Sequence, residues 1–100
     1  MNPGRRTIRA PQDIVRQIRG LHPRLKHKVK KALAALADDP FLGKPLKYEL
    51  EGLSSYRIGR FRIIYRASSK AQVEIVAIGP RREIYAETLR LLKKRGGQGT

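Results

Sequence analysis

The sequence predicts an α+β domain: a small twisted antiparallel β-sheet with two N-terminal helices packed on one face and a C-terminal helix. Three observations lead there. Apolar residues recur at helical spacing in two stretches before residue 38 and again after residue 82. Between them the pattern changes to period-two alternation. The strands are linked by turn signals such as Gly59-Arg60 and Ser68-Ser69-Lys70, not by helical crossovers, which favours antiparallel pairing.

Thr7-Ile8-Arg9-Ala10 reads as a short first strand, and Pro11-Gln12-Asp13 starts a helix carrying Ile14, Ile18 and Leu21. A second helix is expected from about Pro23 to Ala37. Leu25, Val29, Leu33 and Leu36, with Ala32 and Ala35, form its apolar stripe, and Lys26, Lys28, Lys30 and Lys31 form a solvated surface. Asp38-Asp39-Pro40 stops it, because the residue before proline is pushed from helical angles. After Gly43 and Pro45, Leu46, Tyr48 and Leu50 alternate with Lys47, Glu49 and Glu51, the pattern of a half-buried strand with Tyr48 in the core.

A hairpin follows. Gly59-Arg60 fits a two-residue turn, with glycine supplying the positive φ at the first central position. That turn sets Ile58 opposite Phe61, Tyr56 opposite Ile63 and Arg57 opposite Arg62, and it sends Tyr65 to the core. Val73 to Ile78 is apolar enough to be a central strand. Gly79-Pro80 ends it, and a last helix from Arg82 to about Lys94 presents Ile84, Thr88, Leu91 and Leu92 on one face. Residues from about 96 to 100 are expected to form a flexible tail of a single domain spanning 1–100.

With 23 basic and 8 acidic residues the formal charge is +15, which attracts polyanions. Nucleic acid is the leading partner class. A membrane surface is disfavoured, because no basic segment has an aromatic-rich opposite face, and no apolar run is long enough to span a bilayer. Met1-Asn2-Pro3-Gly4-Arg5-Arg6 lacks the apolar stretch of a signal peptide, so a cytoplasmic protein is expected. The absence of cysteine excludes disulfides and thiolate metal sites, and His22 and His27 do not share a helix face. No metal or cofactor is expected, and both histidines read as solvated helix residues.

The sheet face left by the two N-terminal helices is expected to carry Lys47, Glu49, Arg57, Arg62 and Arg66, with Arg60 in the adjoining turn. Like charges directly opposite destabilise a strand pair, so Arg57 facing Arg62 points to a missing anion, and phosphate matches the guanidinium fork. Arg81 follows the Gly-Pro break and Tyr85 lies four residues on, one helical turn away at a helix start that can bind anions. RNA carries its own nucleophile, the 2′-hydroxyl, so cleavage needs a base, charge stabilisation and a proton for the leaving oxygen. Arg62 and Arg81 can stabilise charge but cannot act as base; Glu49 and Tyr85 are both open for that role. Against these stand plainer readings: Arg57 and Arg62 as solvated charges, Glu49 as a salt-bridge partner, and Tyr85 as helix packing.

Taken together, Gly43-Lys44-Pro45-Leu46, Leu50-Glu51-Gly52, Tyr56 through Tyr65, Ile78-Gly79-Pro80-Arg81 and Ile84-Tyr85 resemble the RelE/ParE superfamily of toxins from prokaryotic toxin–antitoxin pairs, over nearly the whole chain. The resemblance implies the fold given above. It also implies, for the RelE branch, a toxin that enters the ribosomal A site and cuts mRNA. On that pattern Arg57 contacts phosphate, Arg62 stabilises the transition state, and Arg81 is a second stabiliser that aids leaving-group protonation. Tyr85 stacks on or orients a base, and Glu49 matches the general base of some relatives; from the charge pattern, and not from the resemblance, Lys47, Arg60 and Arg66 are expected to add phosphate contacts. Two departures are visible: Arg60 stands at a turn position commonly acidic or polar, and the second-strand lysine of RelE toxins has no clear counterpart. The rival expectations are a ParE-like gyrase poison and a noncatalytic RNA- or ribosome-binding protein. A short acidic antitoxin wrapping the helices and the basic face is the expected protein partner.

Overall fold

A computed structural model describes residues 5–98. Strand β1 (Thr7–Arg9) leads into helices α1 (Gln12–Arg19) and α2 (Pro23–Asp38). Then come β2 (Lys44–Pro45), a 3₁₀ turn (Tyr48–Leu50), β3 (Ser54–Ile58), β4 (Phe61–Ala67), β5 (Gln72–Pro80) and α3 (Arg81–Gln98). The five strands form one sheet in the order β1-β5-β4-β3-β2. It is mixed: β1 pairs with β5 in parallel, and every other neighbouring pair is antiparallel.

The helix signals act much where the sequence puts them. Pro23 opens α2, and His22 is its cap, Nδ1 accepting from Arg24 N–H at 3.2 Å, so His22 is not merely solvated. Ile14, Val29, Ala32 and Leu36 from α1 and α2 are buried against Ile58, Ile63, Tyr65, Val73, Ile75 and Ile78. β5 is central, and its nearly continuous apolar run reflects burial on both faces.

Three expectations need correcting. The second sheet face is not left open, because α3 lies across part of it: Ile84, Tyr85, Leu91 and Leu92 pack with Leu53, Ile64, Val76 and Ala77. The ladder skips Val76, since Ile64 pairs with Ala77 and Tyr65 with Ile75, and this bulge in β5 leaves Val76 and Ala77 both packed with α3. Residues 46–51 are not a strand. Leu46 N–H donates to the Leu53 carbonyl at 2.9 Å, and Leu50, Glu51 and Leu53 donate to the carbonyls three residues back, closing a compact loop. Leu46 and Leu50 still reach the α3 core from the turn, as alternation would have sent them, and Leu53 joins them there. Tyr48 consequently leaves the core and is 85% exposed with φ 58°. Finally, α3 runs to Gln98, past Lys94; of the expected tail, residues 99 and 100 lie outside the described residues, as do the first four of the N-terminal segment. Among the described residues no helix is long and apolar enough to cross a membrane.

Candidate functional site

The hairpin register is the one the turn dictates. Ile58 pairs with Phe61, Tyr56 with Ile63 and Arg57 with Arg62, and Gly59 takes φ 57°. Arg57 and Arg62 therefore project to the same face, the one α3 partly covers. Arg57 is exposed, its Nε donating to the Gly59 carbonyl at 3.2 Å. Arg62 is half-buried. Its Nη1 donates to Ser55 Oγ at 3.1 Å, and its Cζ stands 5.9 Å from the centroid of the Tyr85 ring, within cation–π range. Ser55 Oγ also lies 3.4 Å from Tyr85 Oη, so Arg62, Ser55 and Tyr85 form one contact set joining β3, β4 and α3.

Within this set Arg62 Nε is buried and has no hydrogen-bond partner among the described residues. An unsatisfied buried donor costs about 1–3 kcal/mol, more when charged, so an acceptor reaching Arg62 Nε would be favoured. Among the described residues no ion pair engages Arg57, Arg60, Arg62 or Arg81.

β5 passes directly into α3, and the β4–β5 ladder closes on the helix start: Arg81 N–H donates to the Arg60 carbonyl at 2.8 Å. That bond sets Arg81 beside the hairpin turn. Arg57, Arg60, Arg81 and Arg82 line a single open cleft of about 620 Å³ with Gly59, Pro80 and Glu83. Arg57 is common to both parts of the site, lining the cleft and facing Arg62 across the strands.

Arg66 shares the face but not the site. Its Nη2 and Nε reach Glu74 Oε1 at 2.7 and 2.8 Å, so its charge already has a partner. Lys47 and Glu49 are exposed in the 46–53 loop that precedes β3, whereas Arg57 is at the turn end of that strand. Once residues 46–51 curl into a turn, alternation no longer aims Glu49 at the sheet face, and the carboxylate that lines the arginine cleft is Glu83. Two members escaped the sequence reading. Ser55 lies two residues before Arg57 and so on the same strand face, a signal that alternation carried; Arg82 was hidden as the second of two adjacent arginines. Near Arg62 the arrangement offers guanidinium donors, a hydroxyl and a phenol. Among the described residues no group of three or more His, Cys, Asp or Glu could hold a metal ion.

A family model described as the ParE toxin of type II toxin–antitoxin systems, parDE, matches residues 6–85. The chain is 32% identical to a chain of the RelBE2 toxin–antitoxin complex from Mycobacterium tuberculosis, covering 77% of this chain and 99% of that one with a TM-score of 0.67. It also shares its fold with an arginine-to-alanine double mutant of E. coli RelE in the free state, at 16% identity, TM-score 0.71 and coverage of 91% and 97%. The isolated E. coli RelE toxin matches at 17% identity, TM-score 0.64 and coverage of 87% and 98%. No curated protein sequence matches significantly.

Proposed function

This chain belongs to the ParE toxin family, within the RelE/ParE superfamily of type II toxin–antitoxin toxins, and from that premise we propose that it is a ribosome-dependent endoribonuclease that cuts mRNA in the A site. The observation that carries the reading is the half-buried, carboxylate-free Arg62, with an orphaned Nε, held against Tyr85 and beside Arg57. Such a group suits a phosphate that gains charge during reaction.

The reaction is transfer within the RNA backbone. The 2′-oxygen loses its proton and attacks the adjacent phosphorus, the bond to the 5′-oxygen breaks, and that oxygen leaves with a proton, giving a 2′,3′-cyclic phosphate. Arg62 and Arg81 stabilise the added charge on the phosphoryl oxygens, and Arg57, Arg60 and Arg82 hold flanking phosphates. Tyr85, in contact with Arg62, either receives the 2′-hydroxyl proton, a role open only to its phenolate, or stacks on a base to align it. Glu49 has no part in this scheme, because residues 46–51 form a turn and not the strand that would have aimed it at the sheet face.

Primer extension on ribosome-bound mRNA tests the proposal. The protein should produce A-site breaks, and Arg62→Ala with Arg81→Ala should lower the rate by roughly 100-fold or more while the chain stays folded. Undiminished cleavage by that double variant rejects the assignment. The parDE description of the matching family favours a second reading, a gyrase poison; inhibited supercoiling with mRNA left intact would support it instead. By analogy with the RelBE2 complex, the chain pairs with a cognate antitoxin, and a molecule of charge +15 suits an acidic one.

A further inference from the structure

Tyr48 is the one non-glycine residue with positive φ among the described residues, and its ring is 85% exposed. A left-handed backbone is unfavourable for any residue with a Cβ, and an exposed ring returns nothing in packing. The conformation persists because the loop dictates it: Leu46, Leu50, Glu51 and Leu53 are all tied by backbone hydrogen bonds within residues 46–53. Phe41 is comparably exposed, but its backbone is ordinary and its N–H is held by Asp39. Only at Tyr48 do strain and exposure coincide.

The loop adjoins the site. Leu46 and Leu50 pack in the same apolar cluster as Tyr85, so Tyr48 stands on the rim of the face that carries Arg62 and Ser55. Lys44 and Lys47 precede it in sequence and Glu49 and Glu51 follow it, all four exposed. An exposed aromatic ring on a loop next to an arginine-bearing sheet face has the make-up of a stacking platform for single-stranded nucleic acid.

We propose that Tyr48 stacks on an unpaired base of the RNA strand and so extends the substrate subsite beyond Arg62. This deepens the RNA reading given above and rests on it. The backbone strain at Tyr48 is then maintained for binding, and relieving it should raise stability while lowering affinity.

The chain has no tryptophan, so Tyr48→Trp introduces a unique fluorophore. An uncleavable 2′-O-methyl oligoribonucleotide should quench it saturably, whereas inorganic polyphosphate, which has phosphates but no bases, should not. Tyr48→Gly should raise KM for cleavage of ribosome-bound mRNA about tenfold with kcat little changed, and raise Tm by about 4 °C or more. No quenching, equal quenching by polyphosphate, or an unchanged KM in Tyr48→Gly overturns the proposal. So does quenching by an acidic antitoxin peptide but not by the oligonucleotide, which would make the ring a protein contact. Selective quenching by the oligonucleotide in a protein that never cuts mRNA would remove the nuclease reading and leave the platform standing.

Discussion

Tyr65 and Ser55 show how much single residues decide here. The Tyr65 hydroxyl donates to the Pro40 carbonyl at 2.7 Å and accepts from Gly43 N–H at 2.9 Å, so one buried phenol fastens the α2–β2 connection. Tyr65→Phe leaves both groups unpaired and should cost about 1–3 kcal/mol, read as a lower urea midpoint. Burial pushes the Tyr65 phenol above its ordinary pKa, the Gly43 hydrogen bond opposing the shift. The neutral phenol is therefore the folded form. Its stabilisation is fully present below the unfolded value of about 10 and is lost as pH rises through the raised folded value. The urea midpoint should fall in that alkaline range, and Tyr65→Phe should remove that part of the fall. At the site, Ser55→Ala should slow mRNA cleavage by roughly 10- to 100-fold through loss of a bond to a charged group, whereas Glu49→Gln should change it by no more than about twofold. That contrast separates the charge cluster from the carboxylate that alternation had assigned to it.

Among the elements, the β3–β4 hairpin was legible and the segment before it was not. A two-residue turn leaves one register open, so Arg57 opposite Arg62 followed from Gly59 and the side-chain period alone. A Cβ at Gly59 meets nothing within 4 Å, so Gly59→Ala should destabilise only through the positive φ, by about 1–2 kcal/mol in thermal unfolding. Gly43 is the opposite case. A Cβ there collides with the Tyr65 hydroxyl and comes within 2.9 Å of the Ser55 carbonyl, so Gly43→Ala should destabilise through crowding between β2 and β4. Residues 46–51 defeated the reading because Leu46, Tyr48 and Leu50 alternate with charged residues in sequence, while the backbone hydrogen bonds that close the turn leave no trace in that pattern. The position of α3 was equally hidden. Apolar Val76 and Ala77 announce burial on a second face, but no local pattern says which helix provides it.

For the molecule as a whole, charge outweighs every other feature. A net +15 repels itself in the compact state, so moderate salt should raise Tm while weakening RNA binding. Each phosphate contact to a single strand adds about 0.7 to the slope of log affinity against log salt, so Arg57→Ala should flatten that slope by about this amount. The sheet's connectivity has a different consequence, felt during synthesis. β5 can be hydrogen-bonded on both sides only when the early strand β1 meets a segment from late in the chain, and Tyr85 follows later still. A nascent chain that has not yet released α3 carries the facing arginines without the phenol beside them. Vectorial translation thus withholds Tyr85, the last component of the proposed site, until every strand of the sheet has been made.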